Sequence, residues 1–432
     1  MAASAPKGRE KRPDKHWDLL LVAVATYILI GVSNIQLLFP FLSPLRLGLL
    51  SAVGSLGLFM ANGLRARRAK WLSDPVTKAL VFLLVWSAIT VPFALHRGLA
   101  FEFVKVGFSR TVLLYIVILG SIRGFKDLER LVFVHFVGIV LYCFYTLAFT
   151  SITTATARVE HIVGNYDPND FATFAVSGAP LALYFFAGFH PLWKRALAVA
   201  GLALIATGVV LSGSRGGFLA LIAAGTYILF RYDSIPLRAR VGSVIVALLA
   251  MVAIASDDYW ARIATIFSVE EDYNVTAEVG RTKIWKRGVG YALRYPVLGV
   301  GIGNFPYAEA TISPLVDAQS GQVGRFLAPH NSFVQVMAET GFVGIGLFLF
   351  ILAMTLHGLR VHGPAMTAAL PRAGPMGQAL AASLIGLIAG IFFLSHGYSS
   401  MVYSVVALSV GYAKIARLDK KRTSTLPVGA DE

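Results

Sequence analysis

The stretch VVLSGSRGGFLALI, Val209 to Ile222, joins two apolar runs through a turn whose single arginine is boxed in by Gly213, Gly216 and Gly217. Its reading decides the class of the chain. An arginine at the centre of a bilayer costs at least ~3 kcal/mol on insertion scales, so Arg215 belongs at a membrane edge, with a separate crossing on either side of it. The same texture extends outward: of 432 residues, 56% are hydrophobic and 14% charged, against about 25% charged in soluble domains. This is the composition of an integral membrane protein. Basic residues at membrane edges account for the formal net charge of +15, and the apolar content argues against nucleic acid as a partner. Cys143, the single cysteine, lies in an apolar run and leaves no intrachain disulfide and no cysteine-based metal site. The basic N-terminus MAASAPKGREKRPDKH leads into an apolar segment lacking a small-residue cleavage site. It reads as a first membrane anchor rather than a signal peptide.

A spanning helix needs roughly 20 mostly apolar residues. Twelve spans are expected, at 17–33, 42–63, 77–95, 101–121, 129–149, 171–189, 196–212, 217–230, 240–256, 332–358, 377–395 and 397–414. Pro40 and Pro44 break the second, and His396 and Gly397 mark a tight turn between the last two. Lys and Arg in the short connections set orientation. With the N-terminus inside, the stretches Lys7 to Lys15, Arg65 to Lys70, Arg123 to Arg130, Lys194 and Arg195, Arg231 to Arg240, Arg360 to Arg372, and Lys414 to Arg422 all fall in the cytoplasm. An even count with both ends cytoplasmic satisfies this alternation. The expected organisation is nine spans within 1–256 after a short cytoplasmic tail, a large outer loop at 257–331, three spans within 332–414, and a cytoplasmic tail at 415–432. The large loop mixes amphipathic helix with glycine turns, which predicts short surface helices capping a cavity.

Arg215 then lies on the outer side, against the positive-inside tendency, facing the same way as Arg281, Lys283, Lys286, Arg287, Arg294 and Arg325 of the large loop. An interfacial arginine snorkelling to headgroups is the plain alternative. The surroundings favour more. The three glycines admit unusual dihedrals and close approach, Ser212 and Ser214 add hydroxyls, and SRGG begins a helix whose N-terminal amides and dipole suit an anion. An arginine fork added there suits a phosphate. A second candidate is FLAPHNSFVQVMAETGFVGIG, 326–346, in which Asn331 or Ser332 caps a helix and His330 stands just before it. A helix N-terminus and nearby arginines both disfavour the imidazolium, leaving His330 neutral and able to accept a proton; a plain hydrogen bond to a carbonyl is the other reading. Glu339, an intramembrane carboxylate, is either functional or paired with a buried cation. The third candidate, GNYDPNDFATF at 164–174, is a turn into a helix with Asn169 or Asp170 as cap. Asp167 and Asp170 could bind a metal, but capping explains them more cheaply, and no other ligand set stands out.

Taken together and in order, GNYDPNDFA, LSGSRGG, GRTKIWKRGVGYALRYPVLGVGIGNF and APHNSFVQVMAETGFVGI, spanning 164–346, resemble the O-antigen ligase and polymerase superfamily of bacterial envelope enzymes. The resemblance implies an all-α integral membrane protein of about twelve transmembrane helices, GT-C-like, with a large periplasmic loop containing short helices. It implies a glycosyltransferase of the bacterial inner membrane, with a periplasmic active site, that moves a glycan from undecaprenyl diphosphate to an acceptor hydroxyl. The acceptor is lipid A core for a ligase, or a second lipid-linked glycan for a polymerase of O-antigen or exopolysaccharide repeats. Arg215 and Arg281, with Ser214 and Gly216 of the turn, would bind the diphosphate, and His330 would assist the acceptor hydroxyl. No metal and no cofactor are expected, the lipid-linked donor being a substrate, and membrane lipids are the remaining partners. Direct attack would invert the anomeric carbon. Arg287, Arg294, Asn331, Asp167, Asn169 and Glu339 are secondary candidates. Tyr166, Trp285, Tyr291, Tyr295 and Phe305 either stack on sugars or form an interfacial belt. A flippase or transporter is the alternative from another class; it would show paired repeats and mid-bilayer polar residues, and neither is visible.

Overall fold

A bilayer gives backbone amides and carbonyls no water to bond, so each apolar stretch must satisfy itself as a helix. The computed structural model describes residues 17–33, 35, 39–66, 74–149, 152–153, 158–159, 167–187, 189–265, 277–316 and 324–424. The chain begins with α1 (Leu19–Ser33), α2 (Leu47–Ala66), α3 (Pro75–Thr90), α4 (Arg97–Ser121), α5 (Phe125–Phe149) and α6 (Pro168–Phe186). It continues through α7 (Leu192–Ser212), α8 (Arg215–Arg231) and α9 (Leu237–Ile254) to the short helices α10 (Asp257–Ala264), α11 (Arg281–Arg294) and α12 (Phe305–Thr311). The long α13 (Ser332–Ala369), then α14 (Ala373–Ile391) and α15 (Ser400–Ser424), complete it.

A helix stands at each of the expected spans. Among the described residues, six helices (α3, α4, α5, α7, α13 and α14) are long and apolar enough to cross a membrane. The chain is a multi-pass, helical membrane protein. Three boundaries differ from expectation. Pro40 and Pro44 hold Pro40–Leu45 in a 3-10 turn, so α2 starts at Leu47 rather than 42. α13 runs on to Ala369, and the turn between α14 and α15 occupies 392–399 rather than a tight pair of residues. The medium loop before α6 contains a two-residue antiparallel pair, Ile152–Thr153 with Arg158–Val159. The basic stretch Lys7 to Lys15, residues 67–70 and Tyr166 lie outside the described residues.

Side-chain contacts gather the basic connections at one end of the bundle. Arg123 pairs with Asp18 at 2.6 Å and with Asp127 at 2.9 Å, and Arg417 pairs with Asp74 at 2.6 Å. Lys414 donates to the carbonyls of Leu119 and Ile122 at 3.0 and 2.9 Å. Tyr184 donates to Glu129 at 2.6 Å, and Ser234 to Gln378 at 2.9 Å. The N-termini of α6, α8 and α13 and the turn at 392–399 therefore lie at the opposite end.

Near that opposite end α13 is broken. Gly341 has φ 70° and ψ −170°, outside any helix, which strips three carbonyls of their intrahelical donors. Each finds a replacement: Ala338 accepts from Val300 N at 2.8 Å, Glu339 from Gly301 N at 3.0 Å, and Thr340 from Trp86 Nε1 at 2.9 Å. Phe342 N, which lost its own acceptor, donates to Pro296 O at 2.8 Å. Irregular backbone at membrane depth is tolerated when protein groups satisfy it in this way. The glycine-rich loop 295–304 is thus docked into the break, and its far side is held by His96 N on Asn304 Oδ1 at 2.8 Å.

Candidate active site

The arginine turn is built by short-range forces. Gly213, with φ 61°, ends α7 in the left-handed conformation that suits a residue without Cβ. Ser214 caps α8, its hydroxyl accepting from Gly217 N at 3.0 Å. Gly216 and Gly217 are helical and serve packing: a Cβ on Gly217 would run into the Ala172 Cβ of α6, and one on Gly216 would lie 3.3 Å from the Phe393 Cβ. Ser214 and Gly216 are buried. Their contribution is therefore the shape of the turn, and the side chain they present is that of Arg215. It is half-buried and donates from Nη1 to Thr265 Oγ1 at 2.7 Å.

Arg281 is likewise the first residue of its helix, α11, whose N-cap Gly280 gives no side-chain cap. One turn later, on the same face, Trp285 donates to Pro329 O at 2.8 Å and packs its ring edge-on against Phe392, centroids 5.4 Å apart, with Phe393 at 6.4 Å. Asn331, itself extended, caps α13 by accepting from Phe333 N and Val334 N at 2.9 and 3.0 Å. Ser332 is not the cap; it donates to Leu394 O at 2.7 Å. His330 has φ 44° and donates its amide to Ser395 Oγ at 2.9 Å.

Asp167, rather than Asn169 or Asp170, caps α6. Its carboxylate accepts from Asn169 N and Asp170 N at 2.7 and 2.9 Å, and Asp170 answers by accepting from Asp167 N at 3.1 Å. The other Asp170 oxygen meets His396 Nε2 at 2.8 Å. Both carboxylates are therefore engaged with protein groups. His396 was not singled out in the sequence, because its partner is contributed by a distant helix.

The N-termini of α6, α8, α11 and α13 all reach the turn at 392–396: α6 through Asp170, α8 through Gly216, α11 through Trp285, and α13 through Ser332. Helix N-termini carry partial positive charge, and two of these four place an arginine at the first position. Electrostatics link the parts further. His330 is held below the ordinary imidazole value of 6.5, by burial first and then by the Arg281 guanidinium, with Asp167 and Asp170 opposing and His396 adding to the depression. The imidazole is thus held toward its neutral form, with burial a larger cause than the arginine.

Other candidates lie elsewhere. Arg287 is not a ligand-facing cation: its Nε and Nη2 grip Glu309 at 3.0 and 2.7 Å, and Tyr291 donates to the same carboxylate at 2.8 Å. The two charged side chains are 10% and 1% exposed. Removing one partner of such a pair strands the other, at a cost of about 3–5 kcal/mol. Glu309→Ala is accordingly expected to lower the melting temperature in detergent sharply, and Arg287→Met/Glu309→Leu together to restore most of it. Equal melting of Glu309→Ala and the parent chain would contradict that role. Arg294 ends α11, exposed over Tyr295 at 5.5 Å and about 20 Å of helix from Arg281. Glu339 pairs with no cation among the described residues; its Oε1 accepts from Phe305 N at 3.2 Å, tying α13 to α12. Tyr291 and Phe305 are buried and Trp285 packs inward, so they support the site rather than offer open faces to sugars.

Helices gathered around a cationic, histidine-bearing end define the class: a multi-pass helical membrane protein. Residues 200–349, from within α7 to within α13, match the family described as O-antigen ligase. That match supports the resemblance to the O-antigen ligase and polymerase superfamily. Comparison with curated proteins gives no match.

Proposed function

We propose that this protein transfers a glycan from undecaprenyl diphosphate to an acceptor hydroxyl on the periplasmic face of the bacterial inner membrane, acting as an O-antigen ligase on lipid A core. One observation carries the reading: Arg215 and Arg281 each open a helix, both helices pack on Phe393, and Arg281 bears electrostatically on His330. In this reading the twelve long helices all cross the membrane, and the basic end of the bundle is cytoplasmic.

As the acceptor oxygen attacks the anomeric carbon, the lipid diphosphate departs and charge grows on the bridging oxygen. Guanidiniums and helix N-termini fixed there stabilise the transition state more than the ground state. The acceptor proton must leave at the same time, and in this reading neutral His330 takes it. Its depressed pKa extends the neutral, active form to lower pH. The acid limb of kcat/KM is therefore expected to have its midpoint below 6.5, and a midpoint above that value would remove His330 from the role.

The deciding experiment reconstitutes the purified chain with EDTA and an undecaprenyl-diphosphate-linked oligosaccharide, offering lipid A core and a second lipid-linked oligosaccharide as separate acceptors. Transfer to core supports ligation, and transfer to the lipid-linked glycan makes the enzyme a polymerase. Movement of the donor across the bilayer without bond formation would make it a flippase.

A further inference from the structure

Two turns at the site are joined by hydrogen bonds between serine hydroxyls and backbone groups. His330 N donates to Ser395 Oγ at 2.9 Å, His396 N donates to Ser332 Oγ at 2.8 Å, and Ser332 Oγ donates to Leu394 O at 2.7 Å. Such fastening is needed, because His330 sits at φ 44°. That left-handed region strains a residue bearing a Cβ and persists only where neighbours over-determine it.

The 392–399 turn is itself anchored from the other side. His396 Nε2 meets Asp170 Oδ1 at 2.8 Å, with the two side chains 13% and 16% exposed. Phe174 closes edge-on over the imidazole, centroids 4.9 Å apart. Asp170 is fixed in turn by the Asp167 amide on its second oxygen at 3.1 Å. A continuous set of contacts therefore runs from the first turn of α6, through Asp170 and His396, across the two serines, to His330. A carboxylate oxygen accepts from an imidazole N–H, so this contact joins the His396 ring to α6 by one hydrogen bond.

We propose that Asp170 and His396 are positioning residues for His330: their hydrogen bond pins the α14–α15 turn, and the serine contacts of that turn hold His330 in the conformation that aims its ring at the acceptor hydroxyl. The inference rests on the transfer reaction proposed above, and it concerns the acceptor side rather than diphosphate binding.

The test uses the full chain in detergent with His396→Phe, His396→Gln and Asp170→Asn. Phenylalanine keeps the bulk and the Phe174 contact but no donor, glutamine restores an N–H donor, and asparagine keeps an oxygen for the Asp167 amide while turning an N–H toward His396. His396→Phe and Asp170→Asn are expected to lower kcat by about 10- to 100-fold with donor KM unchanged within about twofold. His396→Gln should recover most of the loss, and the double variant should be no worse than His396→Phe alone, as for two residues sharing one interaction. Full kcat in His396→Phe, or a KM change in place of a kcat change, would overturn the proposal. Hydrogen exchange supplies a readout independent of activity. In His396→Phe, amides at 329–334 should exchange about tenfold faster, with those of α3 unchanged. If the parent chain transfers no glycan, the transfer reading is what failed, and exchange still decides: unchanged protection at 329–334 overturns the positioning role, and faster exchange sustains it.

Discussion

Arg215→Ala and Arg281→Ala each lower glycan transfer by about 100- to 1,000-fold, the range expected when one fixed donor aimed at a developing anion is lost. The size follows from where the charge appears. In the ground state the diphosphate already carries its negative charge and can be met by water or by lipid-surface cations. In the proposed transition state the bridging oxygen gains charge beside the N-termini of α8 and α11, where replacement of a fixed guanidinium by water requires reorganisation. Binding falls less than kcat for that reason. Lysine should rescue neither position well, because a point charge cannot reproduce a planar fork on two oxygens. The fold should survive both changes. Arg215 is half-buried on a short turn whose shape is set by Gly213 and Ser214, and Arg281 is half-buried at the start of α11, which Trp285 anchors one turn later. The measurement is a single-turnover rate in the reconstituted EDTA assay, beside a thermal unfolding curve. Full rates in both variants would end the mechanism.

Gly341→Ala, by contrast, is expected to prevent stable folding. The ψ of −170° at φ 70° belongs to a region essentially reserved for glycine, costing other residues about 1–3 kcal/mol. A Cβ there would also overlap the Val297 carbonyl. Relieving that overlap moves the 295–304 loop off the break in α13 and strands the carbonyls of Ala338 and Glu339 and the amide of Phe342, each unmade buried bond costing about 1–3 kcal/mol. The sum, about 4–12 kcal/mol, is comparable to the whole stability of an ordinary domain, about 5–15 kcal/mol. Gly346→Ala, on the same helix with nothing within 4 Å of its Cβ, provides the control and should be neutral or slightly stabilising. Comparable melting of the two variants would show that the break does not hold the loop.

The sequence by itself determined the features that depend on near neighbours. Hydropathy summed over some twenty residues placed the helices, alternating Lys and Arg separated the two ends of the bundle, and Gly213, Ser214 and Asn331 marked helix ends, because caps and turns are made within a few positions. The arginine turn and His330 were legible for the same reason: each is an unusual charge or ring beside a local helix start. What only the tertiary structure decided is which of these groups face one another. Arg287 looked like its neighbours until Glu309 was found gripping it, and Glu339, read as either functional or paired with a cation, has a backbone amide on one oxygen. His396 gave no signal, since its partner Asp170 lies 226 positions away. Partners that far apart leave no periodic trace in the chain, because nothing but the packing of helices on helices brings them within hydrogen-bonding reach.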